Sequence, residues 1–265
     1  MLRADRAVVT RWHSARSPSG PPRGSARVRP LRQRCRPSPR SPARGLLPAQ
    51  PRRAIPYIYS DNEVADLIKA ARGLSGSTGL RPRTYATLLA LLAASGMRSS
   101  EPLRLDRNDV DLDQGVLTVR ESKLGKSRLM PVHESTAKAL KAYATQRDQR
   151  CPQPCSPAFF LSERGTRIVQ NTLEQTFVQL SRQVGLRSLS DSRGPRLHDL
   201  RHRFAVSTLL RWYRDGVDVE SHLPRLATYL GHAHMNDTYW YLTATPELLQ
   251  LVAKRLDSAT RRLPA

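Results

Sequence analysis

The sequence contains no stretch of about 18 consecutive apolar residues, so no segment reads as a membrane-spanning helix. Its start, MLRADRAVVTRW, has no apolar core of the kind a secretory signal needs. Cysteine is scarce: Cys35, Cys151 and Cys155 are an odd number, which argues against a disulfide framework and for a reducing interior. Acidic residues are the other shortage. Asp and Glu total 22 against 44 Lys and Arg in 265 residues, and the net charge of +22 points to a polyanionic partner, nucleic acid first.

That charge is unevenly placed. Residues 1–53 hold 14 Arg, nine of the 20 Pro, no Lys and one acidic residue, Asp5. The other 212 residues carry the remaining 30 basic and 21 acidic groups, a net +9. A segment such as RPLRQRCRPSPRSPARG buries too little apolar surface to offset its ordering entropy, so residues 1–53 read as disordered. Two origins stand side by side: a basic arm that follows phosphates, or an unselected segment from a misplaced start or a shifted reading frame.

Residues 54–265 read as an ordered domain, mainly α with a small antiparallel β-sheet (α+β). Ser60 to Glu63 forms a capping box ahead of Val64, Leu67, Ile68 and Ala71 at helical spacing. Residues 83–95 are apolar all round and read as a buried helix ended by Gly96, with Arg98 just beyond it and Glu101 three residues on, in reach of its guanidinium. Residues 106–115 are acidic and loop-like. VLTVR (116–120) and RLMPV (128–132) predict a hairpin with Gly125 at its tip, flanked by Lys123 and Lys126. A helix over 133–150, a short buried strand FFL (159–161) and an amphipathic helix over 171–184 follow. The two thiols of CPQPC lack a second pair and make a weak zinc signal.

From Leu197 the pattern HDLRHRFAVSTLLRWYRDG predicts a long helix. His198 and Arg201 share a face, and His202 lies one turn after His198. That histidine pair lacks the glutamate of a zinc-binding HExxH helix and any third ligand, so no metal is expected. LPRLATYLGHAH makes a short helix ending at Gly231, and Asp237 is placed to cap the turn TYWYL, whose three adjacent aromatics cannot all face inward. A final amphipathic helix begins at Pro246. Two imidazoles (His198, His232), a guanidinium (Arg201) and a phenol (Tyr241) suit a phosphodiester: Arg offers a fork of donors, His hydrogen-bonds or moves a proton, Tyr can act as a nucleophile.

In this order and spacing, GMRSSEPLRL, KLGKSR, LHDLRH, LGH and the late Tyr resemble the catalytic domain of the tyrosine recombinases, the phage-integrase family, over about residues 55–257. The resemblance implies that fold, no cofactor, and cutting and rejoining of DNA through a 3′-phosphotyrosine. By position, Arg98, Arg201 and His232 match the residues that stabilise the phosphate, His198 the histidine that helps deprotonate the tyrosine or positions the phosphate, Glu101 the acidic support of Arg98, and Lys123 the general acid. Tyr241 matches the nucleophile, with Tyr239 as its competitor; Lys126 competes with Lys123 and, with Arg128 and Arg203, is expected on DNA. The implied partners are double-stranded DNA and three further copies of the chain in a homotetramer on synapsed sites, in the bacterial cytoplasm on the nucleoid, as part of a mobile genetic element. A helical core-binding domain, which family members carry ahead of this one, is expected to be missing. The alternatives are a type IB topoisomerase-like enzyme and a DNA-binding remnant that no longer cleaves.

Overall fold

The computed structural model describes residues 56–120, 125, 127–191, 193–243 and 245–260; for residues 243 and 255–260 only the backbone is described. The basic segment 1–53 lies outside the described residues.

Helix α1 (Asp61–Arg72) opens on the expected box: the Ser60 hydroxyl accepts from the Glu63 N–H at 3.2 Å, and the Glu63 carboxylate accepts from the Ser60 N–H at 2.7 Å. Its buried Val64, Leu67 and Ala71 face α2 (Leu80–Ser95). Helix α2 starts earlier than its apolar pattern suggests, because Pro82 falls in the first turn, where a missing N–H leaves no hydrogen bond unmade. It is buried on nearly every face, and Thr84, in its second turn, donates to the Leu161 carbonyl at 3.1 Å. Gly96 ends α2 in the left-handed region (φ 63°), its N–H on the Leu92 carbonyl at 3.0 Å. The short helix α3 (Glu101–Arg104) follows at once.

Three antiparallel strands come next, in the order β1 (Val110–Asp111), β2 (Val116–Val119), β3 (Arg128–Pro131). Val119 stands opposite Arg128 and Leu117 opposite Met130, so the expected hairpin is present. Its connection holds Lys123 and Lys126, and both lie outside the described residues. Strand β1 is a correction to the loop read over 106–115: Val110 is buried and pairs with Leu117, an apolar anchor that the surrounding aspartates masked.

Helix α4 (Glu134–Arg150) leads to the segment 159–161, which is not a strand. Two isolated bridges, Asp106 with Ala158 and Leu161 with Arg167, flank two bends. The reason is packing. Phe159 and Phe160 are both fully buried, where a strand would send neighbours to opposite faces, and both rings pack on Tyr143 with centroids 5.6 and 5.2 Å away.

Helices α5 (Gln170–Gln183), α6 (Asp199–Arg214), α7 (Val219–Leu230), α8 (Asn236–Tyr239), a 3₁₀ turn (Trp240–Thr243) and α9 (Pro246–Thr260) complete the described chain. Asp237 falls inside α8 rather than capping it; Met235 takes the cap position. The buried apolar residues form two clusters. One joins α1, α2, the sheet, α4 and α5; the other joins α6, α7, the 3₁₀ turn and α9 through Leu209, Trp212, Leu223, Leu226, Tyr241 and Leu248. Tyr229 packs against both, so the end of α7 marks their seam.

Candidate active site

The site is built around the last turn of α7. Gly231 adopts the left-handed conformation (φ 69°), its N–H returns to the Thr228 carbonyl at 3.0 Å, and the His232 N–H returns to the Ala227 carbonyl at 2.9 Å. This pair of bonds closes the helix and fixes the backbone of His232. A helix end leaves further carbonyls without partners, and it carries partial negative charge. Three guanidiniums meet that need. Arg128 Nε donates to the Tyr229 carbonyl at 3.0 Å, Arg201 Nη2 to the Leu230 carbonyl at 2.8 Å, and Arg98 Nη2 to the Gly231 carbonyl at 2.6 Å.

Each arginine is held from a second direction. Arg201, on the first turn of α6 and 2% exposed, also donates to the Gly96 carbonyl at 2.9 Å, which ties the ends of α2 and α7 together. Burial, and the charge of Arg98, push its pKa down to about 10 against an upward pull from Tyr241, so it remains charged at neutral pH. Glu101 lies between the other two. Its carboxylate takes Arg98 Nη1 at 2.9 Å, and Arg128 Nη1 and Nη2 at 3.0 and 2.8 Å. Burial alone would raise the Glu101 pKa, but the hydrogen bonds and charge of Arg128, then of Arg98, reverse the direction and hold it below the ordinary value.

Two glycines make this packing possible. A Cβ on Gly231 would sit 2.9 Å from Arg128 Nη1, and one on Gly96 would sit 2.5 Å from the Phe204 ring. The spacing Leu-Gly-His therefore has a mechanical meaning: the glycine lets a guanidinium lie flat on the helix end, and the next residue presents its imidazole. His232 Nδ1 is 2.7 Å from the Thr238 hydroxyl, and its ring stacks on Tyr241 with centroids 6.0 Å apart and planes at 21°.

Tyr241 is 3% exposed, whereas its neighbour Tyr239 is 48% exposed. The Tyr241 hydroxyl lies 3.2 Å from Nδ1 of His202. His198, just ahead of α6, is exposed at its outer edge and stands edge-on to His202 with centroids 4.9 Å apart. Loss of hydration first, and the Arg201 charge second, lower the His198 pKa to about 4. The structure thus brings Arg98, Glu101, His198, Arg201, His232 and Tyr241 into one neighbourhood. Arg128, expected at the surface on DNA, joins them with its guanidinium turned inward. Arg203, expected there too, pairs with Asp61 at the start of α1. Lys123 and Lys126 lie outside the described residues, and among those described no cluster of His, Cys, Asp and Glu is arranged to hold a metal ion.

With the geometry in place, comparison with known proteins is decisive about the family. The model of the phage integrase family matches residues 59–247. The chain belongs to the phage integrase family, the tyrosine recombinases. A Sinorhizobium fredii protein named as an integrase/recombinase is 48% identical over 220 residues, 82% of this chain and 70% of that protein. The tyrosine recombinase XerD of Mycobacterium leprae is 31% identical over 215 residues, 79% of this chain and 64% of its own length. Among solved structures, the XerA recombinase superposes with a TM-score of 0.57 at 26% identity, over 80% of this chain and 68% of that one. The XerH site-specific recombinase, in a structure bound to a palindromic difH substrate, shares the fold, with a TM-score of 0.56 at 21% identity over 77% of this chain and 54% of that one. The fold of this integrase-family chain is that of the tyrosine recombinase catalytic domain. Among the described residues, no helix is long and apolar enough to cross a membrane.

Sequence reasoning missed four parts of the site. His202 was weighed only as half of a zinc pair, although its position one turn after His198 puts it on the same helix face. Asp199, buried beside it, stands where a zinc-binding helix would carry its glutamate. Thr238 and the inward role of Arg128 have no local signature, because each depends on where α7 ends in space.

Proposed function

We propose that this chain is the catalytic part of a site-specific DNA recombinase in which Tyr241 attacks a phosphodiester of double-stranded DNA. The attack yields a 3′-phosphotyrosine and a free 5′-hydroxyl. Arg98, Arg201 and His232 stabilise charge on the non-bridging oxygens, the role a divalent ion plays in metal-dependent nucleases. Each guanidinium spends one bond from each Nη on the protein and keeps further N–H donors beyond these. His198, at the outer edge, positions the phosphate, and Lys123 on the hairpin protonates the leaving oxygen. Glu101 and Arg128 hold the donors in place. Because the phosphotyrosine conserves the bond energy, rejoining to a partner strand needs no ATP. Loss of one charge-stabilising donor raises the barrier by about 3–4 kcal/mol.

The observation that supports this reading most is the convergence on one helix end of Arg98 with Gly231, 133 residues apart, beside His232 stacked on Tyr241. The Tyr241 phenol is buried, with its hydroxyl at His202. Two synapsed sites would take four protomers, in the cytoplasm on the nucleoid. The test is a set of nicked duplexes tiled from the chain's own locus, incubated with the wild type and with Tyr241→Phe and resolved on a denaturing gel. A covalent adduct with the wild type alone is expected. An equal adduct with Tyr241→Phe would overturn the assignment of the nucleophile.

A further inference from the structure

His202 has no part in the scheme above, yet it is the imidazole in hydrogen-bond contact with the Tyr241 phenol, at 3.2 Å through Nδ1. Its other ring nitrogen, Nε2, lies 4.0 Å from Oδ1 of Asp199. Asp199 is 2% exposed and is itself fixed, accepting from the Arg196 N–H at 2.8 Å and from Arg196 Nη2 at 2.9 Å. The ring is further clamped edge-on by His198 and by Trp240, with centroids 4.9 and 5.4 Å away. A carboxylate beside Nε2 favours the tautomer that carries its proton there, which leaves the Nδ1 lone pair for the phenol. The Asp199 carboxylate lies near Nε2, beyond hydrogen-bond length, and the Tyr241 hydroxyl lies at Nδ1, so the imidazole stands between a charge that favours its protonated form and a weak nucleophile.

We propose that His202 is the proton acceptor for Tyr241, oriented by Asp199. This rests on Tyr241 being the nucleophile. As the phenolic oxygen bonds to phosphorus, its proton passes to His202 Nδ1, and Asp199 stabilises the imidazolium that forms. The bond from phosphorus to the 5′-oxygen breaks, and that oxygen takes its proton from the separate acid proposed above. On rejoining, the 5′-hydroxyl attacks and gives its proton back to that acid's conjugate base, the bond from phosphorus to the phenolic oxygen breaks, and His202 returns its proton to the phenolate.

The surroundings of His202 fit the task. Burial first, and then His198, Arg196 and Arg201, push its pKa down to about 4, against the opposing pull of Asp199. The ring is therefore neutral at neutral pH, with Nδ1 open. A phosphodiester arriving beside it adds negative charge, which raises its basicity at the moment of attack. His198, exposed and on the other side of this contact, remains free for the phosphate.

The test uses the full chain with 3-fluorotyrosine at position 241, in the wild type and in His202→Asn. Asparagine keeps an acceptor near the Nδ1 position but is not a base. In the wild type the fluorine resonance is expected to move as His202 takes up a proton in acid, and His202→Asn to abolish that movement. A resonance indifferent to His202→Asn overturns the proposal, whether or not a DNA site is known. On a nicked duplex that gives the wild-type adduct, His202→Asn is expected to slow adduct formation about 100-fold or more at neutral pH. The wild-type rate should fall as the pH drops towards 4 and His202 takes up its proton, and that acid limb should be missing from His202→Asn. The same acid limb in both marks a merely structural role and sinks the proposal. Wild-type rates in His202→Asn, with none in Tyr241→Phe, reject His202 while the nucleophile stands. An adduct from Tyr241→Phe rejects both.

Discussion

Glu101 holds Arg128 by both carboxylate oxygens, at 3.0 and 2.8 Å, and through Arg128 it fixes a helix end that lies 101 residues beyond that arginine in sequence. The same carboxylate grips Arg98, so one buried anion serves two cations. Glu101→Gln removes the anion and leaves both guanidiniums facing each other. Since both retain some exposure, the loss belongs at the low end for a broken buried pair, about 3 kcal/mol. Thermal unfolding should show the midpoint lowered by roughly 6–12 °C for a domain of this size. An unchanged midpoint would mean that the network does not support the fold.

Gly231→Ala tests the fit between helix end and arginine. The new Cβ meets the Arg128 guanidinium at 2.9 Å, and a left-handed backbone costs an L-residue about 1–2 kcal/mol. The guanidinium is the flexible partner, so the chain is expected to fold with Arg128 displaced. Denaturant unfolding should report the loss of stability, and adduct formation on nicked DNA should fall further than stability alone explains, because His232 follows Gly231 directly.

Arg201→Lys keeps the charge and loses the fork. One ammonium cannot reach both the Gly96 and the Leu230 carbonyls in the geometry Arg201 uses, and each buried carbonyl left without a partner costs about 1–3 kcal/mol. Urea denaturation should therefore show Arg201→Lys clearly destabilised. Full stability in this variant would contradict the structural part of its role.

Tyr241→Phe should separate chemistry from fold. It removes the hydroxyl bonded to His202 and keeps the ring stacked on His232, for a loss of about 1 kcal/mol. Circular dichroism and the melting midpoint should stay close to those of the wild type, while the covalent adduct disappears.

Stability should fall in acid in two stages. His198 and His202 have folded pKa values of about 4, against 6.5 in the open chain. Between those values the unfolded chain binds protons that the folded chain refuses, so stability declines as the pH drops from about 6.5 towards 4 and then levels for these groups. Glu101 acts below that. Its folded pKa is depressed below 4.5, so its contribution is complete above 4.5 and is lost as the pH falls through the folded value. Denaturant midpoints at pH 7, 5.5 and 4.5 should decrease in that order, and His202→Phe should flatten the first stage.

Much of this was readable from the chain alone, for local reasons. The Ser60 box, the buried α2 and the stop at Gly96 follow from spacing and capping chemistry within one segment. The core positions of Arg98, Arg201, His232 and Tyr241 came from a resemblance to a family, and the structure gathers them. Features that depend on three-dimensional closure were not readable. Phe159 and Phe160 looked like strand residues until Tyr143 was seen to pack on both. Arg128 and Arg203 looked like surface cations because nothing near them in sequence shows their partners, Glu101 and Asp61. His202 carries no spacing that separates a phenol's partner from a metal ligand or a core histidine.

The three arginines at the end of α7 bind main-chain oxygens, and this distributes mutational risk unequally. Replacing the side chain of Tyr229 or Leu230 alters packing but cannot delete the acceptor, since every residue brings its own carbonyl. Arg98, Arg128 and Arg201 have no such redundancy, and neither has Gly231, whose missing side chain gives Arg128 its place. Random mutagenesis of the last turn of α7 should accordingly yield, at 229 and 230, only variants that refill the apolar space of Tyr229 and Leu230, all of them keeping the acceptor carbonyls, and few at 231, with the intolerant partners on α2's exit, β3 and α6.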